Sequence, residues 1–171
     1  MRVIIALVFS VRSFLLIKVL FVCLGNICRS PTAEGVFCAL VNREGLSEII
    51  SVDSAGVGKW HVGEPPDHRA TAKAKARGID ISSQRARQVN ISDFNLFDYV
   101  IAMDQKNYFD LSLLCPPENN RLYKFLQFAP NAHISDVPDP YYGGENGFDD
   151  VFDLIEAASL GLLEDIKTRY L

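Results

Sequence analysis

The run Cys23-Leu24-Gly25-Asn26-Ile27-Cys28-Arg29-Ser30-Pro31 puts a thiol and a guanidinium on one short loop, with five residues between them. The apolar stretch before Cys23 stops at Gly25-Asn26, and Ser30-Pro31 reads as a helix cap followed by proline at the first helical position. A strand, a tight loop and a helix start, in that order, aim the successive backbone N–H groups of Leu24 to Ser30 at one point. The positive end of the helix stands behind them. That cradle suits a tetrahedral dianion. Arg29 adds a planar fork of donors for two of the anion's oxygens. Helix N-termini and nearby guanidinium groups favour the ionised thiol, so Cys23 is expected to be largely thiolate at neutral pH. A thiolate beside a bound phosphate is set for in-line attack on phosphorus.

Attack by sulfur leaves two protons to be managed, and Asp139-Pro140-Tyr141-Tyr142 offers the group to do it. One carboxyl, Asp139, can protonate the departing oxygen and later take a proton from water. Such acid–base groups contribute about 10²- to 10⁴-fold. Tyr141 and Tyr142 beside it can stack on an aromatic leaving group.

These residues need a scaffold that brings positions 23 and 139 together. Val19–Val22 reads as a buried strand. Ala33, Val36, Phe37, Leu40 and Val41 share one helical face, and Gly45 is placed to stop that helix. Ile49–Val52 reads as a second strand ended by Asp53-Ser54-Ala55-Gly56, and Trp60 to Pro66 as a loop. Asp67 to Arg77 reads as a helix closed by Gly78, Phe97–Met103 as a third strand, and Gln105–Leu114 as a helix that Pro116-Pro117 terminates. Leu122–Leu126 is a fourth, shorter strand. Asn131 to Gly147, rich in proline and glycine, is a long loop of the kind that usually carries function. Phe148 to Tyr170 has helical periodicity. Strands alternating with helices predict an α/β fold with a parallel sheet covered on both faces. Ligands in such sheets bind beyond the carboxyl ends of the strands, where Cys23–Ser30 falls.

Taken together, Cys23 to Pro31 and Asp139 to Tyr142 closely resemble the low-molecular-weight protein tyrosine phosphatase family. The resemblance runs from about Lys18 to the C-terminal helix. It implies a Rossmann-like three-layer sandwich with a four-stranded parallel sheet, and cofactor-free hydrolysis of phosphotyrosine through a cysteinyl-phosphate. By the same resemblance Cys23 is the nucleophile, Arg29 the phosphate clamp, and Asp139 the general acid and then base. Asn26 and Ser30 shape the loop and stabilise the thiolate, Ser54 bonds the loop asparagine, and Trp60 with Tyr141 walls the substrate ring. The backbone of Leu24, Gly25, Asn26, Ile27 and Cys28 receives the phosphate. Cys28 is implied to form a reversible disulfide with Cys23 that guards the nucleophile from over-oxidation. Two positions depart from the family pattern. Gln84 stands where many members carry histidine, so support of Asn26 from that side falls to an amide. Val57 stands where a threonine or serine is common.

The 171 residues suit one domain, and 49% hydrophobic with 22% charged content excludes a disordered chain. A net charge of −4 disfavours a nucleic-acid binder. Cys38 and Cys115 read as structural, and His61, His68 and His133 lack metal-ligand spacing, so neither metal nor cofactor is expected. Residues 1–17 form an apolar N-terminal extension ahead of a phosphatase domain at 18–171. Arg12 and Lys18 would each cost about 2.5–3.5 kcal/mol inside a bilayer, which argues against a membrane span there. A cytoplasmic location is expected, or an organellar or anchored one if residues 1–17 are native, with phosphotyrosine proteins, and a tyrosine kinase that makes them, as partners. Two other readings stay open on the residues alone. One is a thiol-dependent arsenate reductase on the same scaffold, which needs a relay of resolving cysteines. The other is a non-catalytic phosphate-binding module.

Overall fold

A computed structural model describes residues 16–143 and 146–171. The expectation for the N-terminal extension lies outside these residues except at its last two positions. Of these two, Leu16 is exposed, while Ile17 opens the first strand, buried and paired with Ile50, so the domain begins one residue before the expected Lys18.

Four strands, β1 (Ile17–Cys23), β2 (Ile50–Gly56), β3 (Tyr99–Ala102) and β4 (Leu122–Lys124), form one sheet in the order β2-β1-β3-β4. All neighbours are parallel. Helices α1 (Arg29–Arg43), α2 (His68–Ala76) and α5 (Gly147–Tyr170) lie on one side, and α3 (Asp93–Leu96) and α4 (Gln105–Leu114) on the other. The alternation along β1 builds both faces. Ile17, Val19, Phe21 and Cys23 enter the larger core, where Phe21 packs on Phe37 and Phe125 at 5.7 and 5.0 Å between ring centroids. Leu20 and Val22 enter the smaller core with Phe94, Phe97 and Leu111. The chain leaves β1 toward β2 on one side and later returns to β3 on the other. The C-terminal end of β1 is therefore the point where the winding reverses, and there the sheet opens a crevice.

The α/β architecture and its layers agree with the expectation, and α4 has the expected limits. Several boundaries differ for identifiable reasons. β2 continues through Asp53-Ser54-Ala55-Gly56 because β1 offers a partner for each of them, Cys23 opposite Gly56 being the last. β3 loses Phe97, which instead ends the short helix α3 that the sequence periodicity did not reveal. β4 stops at Lys124, and Phe125–Phe128 turns as a short 3₁₀ helix. α1 starts at Arg29, with Cys28 in the cap position and no side chain capping it. Ser30 is thus not the cap; its hydroxyl has a better partner in the Cys23 sulfur. Pro31 sits in the first turn, where a missing N–H costs nothing.

Candidate active site

Cys23 is the final residue of β1 and is 3% exposed. Two hydrogen bonds fasten the start of the loop to the chain beyond β2: Val57 N–H donates to Cys23 O and Gly58 N–H to Leu24 O. Gly56 lets the loop settle close against β2, since a Cβ there would stand 3.0 Å from the Gly25 carbonyl carbon and 3.1 Å from Asn26 N. The loop then turns back over the sulfur at Asn26, whose φ of 56° is in the left-handed region. Asparagine tolerates that conformation better than most residues, and its side chain is locked there. Asn26 Nδ2 donates to Ser30 Oγ and Ser54 Oγ, both at 2.9 Å, while Asn26 Oδ1 accepts from Arg87 N at 2.9 Å.

The result is a sulfur with donors aimed at it. Asn26 N–H donates to Cys23 Sγ at 3.3 Å, and Ser30 Oγ lies 3.1 Å from the same atom. Ser30 Oγ already accepts from Asn26, so its own proton is free to point at the sulfur or at Ala55 O, 3.3 Å away.

Arg29, on the first turn of α1, is 2% exposed. It is not an ordinary surface cation. Nη1 donates to Asp104 and to the Val137 carbonyl, and Nη2 to Asp139 Oδ2 at 3.0 Å. Burial opposes its charge, but Cys23, Asp104 and Asp139 outweigh burial and hold the guanidinium above its ordinary range. Asp104 itself is fixed as the cap of α4, accepting from Asn107 N at 2.7 Å.

Asp139 reaches the site because its loop is pinned. Val137 N–H donates to Met103 O at the end of β3, and Lys124 pairs with Asp136. The Asp139 carboxyl caps a short 3₁₀ turn, Pro140–Tyr142, through Tyr141 N at 3.0 Å. Its side chain is one-third exposed, open toward the cleft. That cleft, of about 160 Å³, is floored by Cys23, Cys28 and Arg29 and walled by Ile27, Trp60 and Tyr141. Leu24, Gly25, His61, Asp139 and Tyr142 complete its lining. Trp60 does not fill a core gap; it is 69% exposed at the mouth. Tyr141 is backed by the Arg69 guanidinium, 5.2 Å from its ring centre. Arg69 is held by Asp67, whose backbone N–H in turn donates to the Ile27 carbonyl.

Of the residues singled out from the sequence, Asn26, Ser30 and Ser54 do not line the cleft but are hydrogen-bonded to one another behind Cys23, and Gln84 departs from its expectation. Gln84 does not support Asn26: its Nε2 donates to the Pro31 carbonyl, and its Oε1 is buried without a partner. The Arg87 backbone and the Ser54 hydroxyl provide that support instead. Cys28 is buried in the larger core as well as lining the cleft, and burial, then Asp67 and Cys23, pushes its thiol well up. It rests as a neutral filler. The sequence reading missed Asp104, His61 and Glu34. Asp104 had a usable signal, an acidic residue at the end of a strand just before a helix. His61, paired with Glu64, and Glu34, which accepts from Ser54 Oγ, had none. The basic run between His68 and Arg87 is largely spent on ion pairs: Lys73 and Arg77 with α5, Arg87 with Asp53 and Asp93.

Residues 18–170 match the family described as low molecular weight phosphotyrosine protein phosphatase. The chain is 42% identical over 153 residues to the low molecular weight protein-tyrosine-phosphatase YfkJ of Bacillus subtilis, covering 89% of this chain and 97% of that protein. The crystal structure of YfkJ superposes with a TM-score of 0.87 at 40% identity, over 91% of this chain and 98% of YfkJ. A protein tyrosine phosphatase from Entamoeba histolytica, crystallised with Hepes in its active site, also has a TM-score of 0.87, at 41% identity over 91% and 99% of the two chains. With a sulfur, a buried arginine and an aspartate gathered at the carboxyl end of a parallel sheet, and with relatives so close over nearly their whole length, this chain belongs to the low molecular weight phosphotyrosine protein phosphatase family.

Proposed function

We propose that Cys23, Arg29 and Asp139 carry out the family's hydrolysis of protein phosphotyrosine in this chain. The observation that supports this most is the direct bond from Arg29 Nη2 to Asp139 Oδ2, which ties the would-be clamp and the would-be acid together over the floor that holds Cys23. The loop amides and Arg29 receive the phosphate dianion. The incoming anion competes with Asp139 for Nη2, and a dianion beside a carboxylate favours its protonated form. The Cys23 sulfur attacks phosphorus, an S–P bond forms, the P–O bond to the tyrosyl ring breaks, and the Asp139 proton goes to the departing phenolate. Asp139, now a carboxylate, takes a proton from water as the water oxygen attacks phosphorus. The S–P bond breaks, and phosphate and the Cys23 thiolate are released. Trp60, Tyr141 and Ile27, all on the lining of the cleft, suit a flat aromatic leaving group.

Cys115 packs against the smaller core, on the opposite face of the sheet from Cys23, which counts against a cysteine relay of the arsenate-reductase kind. The substrate class requires a protein tyrosine kinase upstream. A catalytic thiol functions in a reducing compartment, which supports a cytoplasmic location. No helix among the described residues is long and apolar enough to cross a membrane. Steady-state turnover of free phosphotyrosine against phosphoserine, with Cys23→Ser alongside, tests the proposal. Phosphotyrosine is expected to be strongly preferred, and Cys23→Ser to bind phosphate without turnover. A fully active Cys23→Ser enzyme would refute it.

A further inference from the structure

Behind the phosphate loop lies a hydrogen-bonded chain whose last member has no role in the chemistry described so far. Glu34 projects from α1 and accepts the Ser54 hydroxyl at 2.6 Å. Ser54 Oγ accepts from Asn26 Nδ2, the other Nδ2 proton goes to Ser30 Oγ, and Ser30 Oγ stands 3.1 Å from the Cys23 sulfur. A hydroxyl has one proton to give. While Glu34 is a carboxylate it can only accept, so the Ser54 proton is committed to it and a Ser54 lone pair is left facing Asn26. The Arg87 N–H on Asn26 Oδ1 orients the amide, so one Nδ2 proton meets that lone pair, the other meets Ser30, and the Ser30 proton is left for the sulfur. The donors then diverge from Asn26, outward through Ser54 to Glu34 and inward through Ser30 to Cys23.

We propose that Glu34 is a positioning residue for the phosphate-binding loop: its carboxylate takes the Ser54 proton, holds the Ser54 hydroxyl as an acceptor for Asn26, and so helps keep the loop closed over Cys23. The inference rests on the phosphatase reading given above and extends it to a residue that touches neither substrate nor sulfur. A protonated Glu34 would offer its own O–H to Ser54, release the Ser54 proton to turn elsewhere, and loosen the hold on Asn26 in its left-handed backbone. The groups facing Glu34 bring that switch near neutrality. Burial, followed by the like charge of Asp53 on β2, pushes its carboxyl up from 4.5 to about 7, against the Ser54 bond and the Arg87 guanidinium. Arg87 cannot neutralise it fully, because its fork is already engaged by Asp53 and Asp93. Cys38, one turn along α1, is itself pushed up to about 11 by burial and then by Glu34, so it stays neutral in this range.

The test is kcat and KM for p-nitrophenyl phosphate across pH, for the wild type, Glu34→Gln, Glu34→Ala and Ser54→Ala, with thermal unfolding of each. Glu34→Ala should lower kcat about five- to tenfold above neutral pH, the effect of one lost positioning hydrogen bond, with a smaller change in KM. Glu34→Gln keeps an acceptor for Ser54, so it should recover most of kcat while losing the inflection near 7 that the wild type shows. Ser54→Ala should lower kcat like Glu34→Ala and also lose the inflection. Wild-type kcat in Glu34→Ala, an inflection that persists in Glu34→Gln, or a Glu34→Gln enzyme as impaired as a folded Glu34→Ala would each overturn the inference. If Glu34→Ala does not fold, Glu34→Gln and Ser54→Ala decide alone. A wild-type protein inert toward aryl phosphates sinks the phosphatase reading instead, which keeps the two failures apart.

Discussion

In the proposed chemistry, Asp139 is the residue on which leaving-group preference turns. Its carboxyl is placed by the Tyr141 N–H and the Arg29 guanidinium, and it is the acidic group that lines the cleft. Asp139→Ala should slow phosphotyrosine hydrolysis by about two to four decades, and hydrolysis of esters with good leaving groups by much less. Rates on a series of aryl phosphates of graded leaving-group acidity measure this, and an equal loss across the series would remove Asp139 from proton donation. At this scale the sequence was most legible where residues are contiguous: Cys23, Arg29 and the amides between them announce themselves within nine positions. It was least legible where a residue acts across the fold. Asp104 and Arg29 lie 75 residues apart, and Arg87 reaches Asn26 with a backbone N–H that any residue type carries. Gln84 shows the converse. Its type suggested a bond to Asn26, but the chain path carries its amide to the Pro31 carbonyl.

Among the elements, the end of β1 and the start of α1 do the positioning, and what surrounds them explains the boundary errors. Ser30-Pro31 has the form of a cap, yet a tertiary partner, the Cys23 sulfur, overrides the local preference. The stretch Asp53 to Gly56 looks like a turn until β1 lies beside it. α5, by contrast, was readable from its apolar face, and its packing is close enough to test. Gly161 lies so near the 3₁₀ turn at Phe125–Phe128 that a Cβ would sit 1.8 Å from the Phe128 carbonyl oxygen. Gly161→Ala removes no contact and improves helix propensity, but the backbone of the turn must shift. The expected net effect is destabilisation by about 1–3 kcal/mol, measured by urea unfolding. A gain in stability would mean that α5 rides more loosely on the turn than described.

For the whole molecule, ion pairs tie α2 to α5 through Lys73 and Arg77, and Arg87 to Asp53 and Asp93. One half-buried acid, Glu34, leaves a mark on global stability. Glu34 is pushed up from 4.5 to about 7, by burial first and Asp53 next. Below about 4.5 it is protonated in both folded and unfolded chains; between these values the folded chain holds the extra proton; above 7 it is ionised in both. Its contribution therefore makes stability fall as pH rises through that window, with the full cost present above 7. Glu34→Gln should flatten this part of a stability-against-pH curve from denaturant titrations, and an unchanged slope would place the titration elsewhere.

The fate of the Cys23 sulfur during turnover is the most direct test of the proposed chemistry. Rapid acid quench of Asp139→Ala mixed with p-nitrophenyl phosphate, followed by mass measurement of the intact protein and its peptides, reads it. One added phosphoryl group on the peptide that contains Cys23, absent from the Cys23→Ser protein, is the predicted result. Hydrolysis that proceeds with no such adduct, or an adduct on another residue, would contradict it.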